Sequence, residues 1–358
     1  MPQASVTPWV RRWRRHVVVC PNALPSCWRR LGPINPLTTD PRGGALNTRL
    51  AFVFPGQGSQ KIGMLSDLAS NYPQLLDTFA EASRQLGYDL WALCQQGSAE
   101  EIARTERTQP LLLAASVALW RLWQELGGAR PALLAGHSLG EWSALVCAGV
   151  VEFADAIELV RKRGAYMQDA VPAGVGAMAA VMGLEDAEIE RCCAGAAQGE
   201  VVQAVNYNAP GQVVIAGHAA AVQRAIEACK GAGAKRALPL PVSAPFHTPL
   251  MRPAAERLAV DIAATRFAAP AIPIIHNVHA GAEADPQAIR RLMAEQIYSP
   301  VHWVDCVAAL GEAGAGIAVE CGAGRVLCGL NKRIAPEMTA YATEDQAGLD
   351  AALAAAAD

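Results

Sequence analysis

No stretch of the 358-residue chain has the roughly 18 consecutive apolar residues that a membrane-spanning helix needs, so no membrane anchor is expected. Ten cysteines are present, yet no two are spaced as C-x-x-C. Cys192 and Cys193 adjoin, and Cys321 and Cys328 are too far apart for a metal clip. Neither a zinc site nor a disulfide framework is expected, and the thiols read as reduced core residues of a cytoplasmic protein. Net charge is only -3, which excludes bulk electrostatic attraction to nucleic acid. No internal repeat appears. No complete G-x-G-x-x-G occurs, and Gly322-Ala323-Gly324 reads as a turn. Apolar residues are plentiful at 52%, and charged residues make up 18%. The chain can bury a substantial core as one large domain, or as a large domain carrying an insert.

Acids are scarce at the start of the chain. Residues 1 to 47 hold Asp40 as their one acid, many prolines and the cluster Arg11-Arg12-Trp13-Arg14-Arg15. No apolar periodicity follows, so this stretch reads as a disordered N-terminal extension. An organelle transit peptide would share the arginine bias. A start set too far upstream, or a plain tail, accounts for it better than a working address. Val17-Val18-Val19 is too short for the apolar core of a secretory signal.

Beyond Arg49 the texture is α/β. Leu50–Phe54 reads as a buried strand feeding the glycine loop Pro55–Gln60, the way such folds place site residues at strand ends. Residues 74–86 have helical apolar spacing, and 109–126 are apolar nearly all round, which predicts a buried helix. Between 174 and 242 the pattern becomes βαββαβ: strands at 177–182, 201–207, 212–216 and 235–240, helices at 186–197 and 219–231. That order predicts a ferredoxin-like subdomain inserted into the larger domain, which would comprise residues 48–173 and 243–358. Pro270–Val278 and Gly316–Glu320 are two further strand candidates.

Gly136-His137-Ser138-Leu139-Gly140 lies between the apolar run Pro131–Ala135 and a helical stretch at 141–148. A serine on such a strand-to-helix turn is held clear of the backbone at the positive end of the helix, where it suits a nucleophile. The nucleophile needs a base. Of seven histidines, His247 is the best placed, after a proline-rich loop that leaves the insert's last strand. The alternative is a loop histidine bonded to its own surroundings. Arg163 is flanked one turn away by Leu159, Val160, Tyr166 and Met167, which puts it on the buried stripe of its helix. A buried guanidinium needs an anion: either an internal carboxylate such as Glu141 or Asp155, or one carried by a substrate. Backbone N–H groups at Gln57 and Leu139 are candidate oxyanion donors.

These stretches together resemble the malonyl-CoA:acyl-carrier-protein transacylases of fatty acid synthesis. The likeness rests on Phe54–Gln60, Gly136–Glu141, Arg163-Gly164, Pro241–His247, Gln296–Val301 and Glu320–Gly324, and runs from about residue 48 to 350. It implies an α/β-hydrolase-like large domain. It implies a ping-pong reaction in which Ser138 accepts the malonyl group and His247 is the base. Gln296 would orient His247 through its main-chain carbonyl, and Gln57 and Leu139 would form the oxyanion hole. Arg163 would bind the malonyl carboxylate, with Met167 lining the same pocket. Phe246 goes with malonyl rather than methylmalonyl units. His302 departs from the glutamine expected there. Malonyl-CoA and acyl carrier protein are the partners so implied, with no cofactor and no metal. The expectation is a monomeric cytoplasmic enzyme without membrane or nucleic-acid partners. Lys235-Arg236, Arg161-Lys162 and Lys332-Arg333 are candidates for a basic rim that meets the acidic carrier. A hydrolase is the rival reading, but it calls for a histidine near the C-terminus, and none follows His302.

Overall fold

A computed structural model describes residues 44–242 and 244–357. The expected N-terminal extension lies outside these residues except for its last four. The first strand, β1 (Leu46–Phe54), starts earlier than its apolar run because Leu46 and Asn47 already pair with Arg130 and Pro131. Five helices follow: α1 (Ser66–Asn71), α2 (Leu75–Leu86), α3 (Leu90–Gln96), α4 (Ala99–Ala103) and α5 (Thr105–Glu125). Next come β2 (Arg130–Gly136), α6 (Gly140–Cys147) and α7 (Phe153–Asp169). The segment predicted as βαββαβ has that order: β3 (Gly176–Met182), α8 (Asp186–Ala197), β4 (Val202–Ala209), β5 (Gln212–His218), α9 (Ala219–Gly231) and β6 (Arg236–Pro239). The chain continues with α10 (Arg252–Ala264), β7 (Ile274–Ile275), α11 (Pro286–Glu295) and α12 (Trp303–Glu312). It closes with β8 (Ile317–Glu320), α13 (Val326–Ile334), β9 (Thr339–Ala342) and α14 (Gln346–Ala357).

The protein is therefore mixed α/β, with one parallel and one separate antiparallel sheet. The parallel sheet has the order β7-β2-β1-β8-β9. Leu50 to Phe54 in its centre are all buried, as expected of a strand covered on both faces. Phe52 packs edge-on against Trp120 and Trp123 of α5, at 5.3 and 5.0 Å between ring centroids. Phe54 pairs with Gly136, so the loop after β1 and the Ser138 turn after β2 leave the same edge of the sheet side by side.

The antiparallel sheet runs β4-β5-β3-β6. Its side chains alternate with the two-residue period of a strand. Ala179, Val181, Val213 and Ile215 meet Ile189 of α8 and Ala225 of α9 in a core of their own. Met178, Val214 and Ala216 point the other way, into the core of the parallel sheet. A backbone bridge joins β4 to the loop after α11: Tyr207 N–H donates to Val301 O at 3.0 Å and Val301 N–H to Val205 O at 2.8 Å. One expectation is corrected. Pro270–Val278 is not a long strand, because only Ile274 and Ile275 pair with β2, at the sheet's edge.

Candidate active site

The turn after β2 leaves no room for side chains. A Cβ on Gly136 would stand 2.0 Å from the Gly140 carbonyl carbon, and one on Gly140 would stand 2.0 Å from Phe54 O. Between these glycines Ser138 takes φ +51°, the left-handed region that non-glycine residues seldom occupy. Local bonds hold this strained residue in place. Asn277, two residues past β7, accepts from Ser138 N–H at 2.7 Å and donates to Gly136 O at 2.7 Å.

His247 lies after β6, also in the left-handed region at φ +63°. Its Nε2 is 2.8 Å from Ser138 Oγ, and its Nδ1 is 2.9 Å from the Gln296 main-chain oxygen. A carbonyl only accepts, so Nδ1 carries the proton and Nε2 is free to accept from the serine hydroxyl. The ring is 3% exposed. Burial, and then the Arg163 guanidinium, push its ionisation down to about 3, so it is neutral at physiological pH.

Arg163, 1% exposed on α7, projects to the same point. Its Nη2 donates to Ser138 Oγ at 3.3 Å and to Gln296 Oε1 at 2.8 Å, and its Nη1 donates to Gln109 Oε1 at 2.8 Å. These protein partners are neutral. No ion pair among the described residues includes Arg163, and Asp155 is exposed. Its Nε is buried without a partner among the described residues. Burial pulls the guanidinium down to about 10, opposed by the nearby Glu141, so it keeps its charge at neutral pH. Glu141 bonds instead to Gln296 Nε2 at 2.7 Å and to His276 Nδ1 at 2.7 Å. The arrangement is a desolvated guanidinium that keeps its charge, with an unpartnered Nε, beside a serine hydroxyl.

The serine opens onto a cleft of about 490 Å³ between the two sheets. Gln57, Met167, Phe246 and His247 line it, together with Met178 and Val214 of the antiparallel sheet. Leu139 is buried at the start of α6. The backbone N–H groups of Gln57 and Leu139 have no acceptor among the described residues. His137 turns from the serine towards Asn208, with Nε2 2.8 Å from Oδ1. Of the basic pairs, Arg161 is tied to Glu158 and Lys162 to Asp261, each at 2.6 Å. Arg333 is bonded to Gln212 and to Pro210 O. His302 stacks on Tyr207 with ring centroids 5.3 Å apart.

Sequence reasoning missed three residues of this site. Gln109 was absorbed into an apolar helix, although a lone buried amide in such a run is itself a signal. His276 and Asn277, both fully buried, sit at the end of a strand candidate in an α/β sheet, which is where site residues collect.

A serine on a strand-to-helix turn, hydrogen-bonded to a histidine that follows β6, is an arrangement suited to acyl transfer, and residues 51–330 match the acyl transferase domain family. The malonyl CoA-acyl carrier protein transacylase of Salmonella typhimurium is 58% identical over 306 residues, spanning 86% of this chain and 99% of that protein. That of Bacillus subtilis is 42% identical over 307 residues, 86% of this chain and 96% of that one. A crystal structure of an acyl carrier protein S-malonyltransferase from Vibrio cholerae aligns with TM-score 0.83 at 59% identity, covering 85% of this chain and 99% of that chain. A malonyl-transacylase in complex with its type II polyketide synthase acyl-carrier protein aligns with TM-score 0.85 at 55% identity, covering 86% and 99%. The chain belongs to the acyl transferase family and, within it, to the malonyl-CoA:acyl-carrier-protein transacylases.

Proposed function

We propose that this chain moves a malonyl group from malonyl-CoA to the phosphopantetheine thiol of acyl carrier protein, for fatty acid synthesis, through a malonyl ester on Ser138. His247 Nε2 takes the hydroxyl proton as Ser138 Oγ attacks the thioester carbonyl. The N–H groups of Gln57 and Leu139 receive the negative charge that develops on that oxygen. The C–S bond breaks and His247 returns the proton to the leaving CoA sulfur. The carrier thiol then repeats the steps in reverse, giving ping-pong kinetics. Arg163 holds the distal carboxylate as an ion pair, which favours malonyl over acetyl. Met167 lines that pocket, and Phe246 beside the base crowds a branched acyl chain. Nucleophile, base, oxyanion donors and carboxylate receptor are all groups of the protein, so the scheme calls for no cofactor and no metal. We assign residues 48–173 and 243–358 to a hydrolase-like lobe and 174–242 to a ferredoxin-like one, acting as a cytoplasmic monomer. The strand order β4-β5-β3-β6 supports the ferredoxin-like description.

One observation carries the reading: Ser138 Oγ lies 2.8 Å from His247 Nε2 and 3.3 Å from an Arg163 nitrogen whose protein partners are neutral. The test is intact mass after brief exposure to malonyl-CoA. Wild-type protein should gain one malonyl group, and Ser138→Ala should gain none. A fully occupied adduct on Ser138→Ala would overturn the proposal.

A further inference from the structure

We propose that Glu141 and His276 form a positioning pair that locks the side-chain amide of Gln296 and thereby aims Arg163, so that preference for a carboxylate-bearing acyl group depends on two residues that do not touch it. This rests on the malonyl-transfer reading and extends it. Glu141 and His276 are each 0% exposed, and the hydrogen bonds of the Arg163 guanidinium go to Gln109, Ser138 and Gln296 and not to either of them.

The amide of Gln296 has two unlike ends. Its Oε1 accepts from Arg163 Nη2 at 2.8 Å, while its Nε2 donates to Ser138 O at 2.8 Å and to Glu141 Oε2 at 2.7 Å. Turned over, the amide would set N–H against N–H at Arg163 and oxygen against oxygen at Glu141. A carboxylate only accepts, so Glu141 permits one orientation. A glutamine in its place could follow a flipped neighbour. Glu141 is itself fixed on both oxygens: His276 Nδ1–H donates to Oε1 at 2.7 Å and Asn277 N–H to Oε2 at 3.2 Å. The other ring nitrogen of His276 is buried with no partner among the described residues, so the bond that orients this ring is the one to Glu141.

Packing alone does not call for this arrangement. A buried carboxylate is costly, and apolar residues of similar volume fill space as well or better. A carboxylate placed behind the amide also keeps negative charge close to Arg163 without capturing the donors that a substrate would use. The same residue, Gln296, presents its main-chain oxygen to His247, so the chain of contacts ends beside both the base and the receptor.

The experiment compares malonyl-CoA and acetyl-CoA as acyl donors, reading the ester on Ser138 by mass in wild type, Glu141→Gln, His276→Leu and His276→Asn. Glu141→Gln should lower the malonyl-to-acetyl ratio roughly tenfold, about the worth of one charged hydrogen bond, through a rise in KM for malonyl-CoA larger than the fall in kcat. His276→Leu should lower the ratio in the same direction. His276→Asn, whose amide can still donate to Glu141, should restore it. A folded Glu141→Gln protein with the wild-type ratio would overturn the inference. So would a ratio that His276→Leu leaves unmoved, or failure of both Glu141→Gln and His276→Leu to fold, since the pair would then be structural. Wild-type protein that forms no malonyl ester at all would sink the transfer reading itself, which separates the two failures.

Discussion

The acid side of the pH profile tests the electrostatics around the base. A solvated histidine ionises near pH 6.5. In His247, burial and then the charge of Arg163 bring this down to about 3. Only the neutral ring can take the Ser138 proton. At pH 5 a solvated histidine is neutral in about 3% of molecules, and one titrating near 3 in about 99%. For malonyl-CoA, kcat/KM reports the free enzyme. It should stay level between about pH 7 and pH 5 instead of falling about 25-fold. Bound substrate alters the balance. A malonyl carboxylate paired with Arg163 cancels the second of the two causes, so His247 titrates higher in the complex. The acid limb of kcat should therefore lie at higher pH than that of kcat/KM. Stability follows the same sign. The folded state resists a proton that the unfolded chain accepts below about pH 6.5, so this contribution is complete above that pH and is lost as pH falls towards about 3. The assay is single-turnover acylation of Ser138 across pH, with circular dichroism at each point to confirm folding. A limb of kcat/KM centred near pH 6.5 would refute the reasoning, because His247 would then be neither desolvated nor under the influence of Arg163.

Other substitutions probe the receptor and the turn. Arg163→Ala removes the charged donors, so malonyl acylation should fall about 10- to 100-fold relative to acetyl acylation. Competition between the two CoA thioesters would measure it, and an unchanged ratio would contradict the role given to Arg163. Gly140→Ala forces a Cβ to within 2.0 Å of Phe54 O and 2.9 Å of Pro55 O, both backbone atoms that cannot swing aside. We expect a loss of roughly 1–3 kcal/mol in urea unfolding, together with loss of the Ser138 ester. Wild-type stability in that variant would show that the turn is looser than its contacts imply.

What was legible in the sequence was local. α8 and α9 have the bounds that their apolar spacing suggests, because each is amphipathic over the core that the two share. The Ser138 turn was readable because its glycines, strand and helix are contiguous. The burial of Arg163 followed from its four apolar neighbours, but its partners did not. Arg163 is bonded by neutral amides 54 and 133 residues away in the chain, and not by Glu141, the nearby anion that the sequence suggests. Asn277 and Glu141 meet across 136 residues, a contact that no period of 2 or 3.6 records. β7 was overextended for a related reason. Pro270–Val278 looks like a buried strand, yet only two of its residues reach β2. The C-terminal helices from α10 onward are not evident in the sequence pattern. Several of them are rich in alanine, which favours a helix while marking no face.

The acceptor behind His247 is a peptide carbonyl, where many serine enzymes place a carboxylate. In this site a carboxylate there would be a liability. The residue that offers the carbonyl also accepts from Arg163 Nη2 through its side chain at 2.8 Å, and the Arg163 charge acts on the His247 ring itself, so an acid paired with that ring would feel the guanidinium. It would draw in the donors that a malonyl group needs, and a buried ion pair of that kind is hard to reopen. A neutral carbonyl fixes the same tautomer without competing for Arg163. The sacrifice is weaker support for the imidazolium formed during attack, since a dipole stabilises positive charge less than a full negative charge does. In the proposed reaction a bound malonyl carboxylate would make up part of the difference, because it would offset the Arg163 charge that adds to burial in keeping His247 neutral. The base would thus gain strength mainly when a dicarboxylic acyl group is present, and acetyl-CoA, which brings no such charge, should be acylated slowly even where it binds.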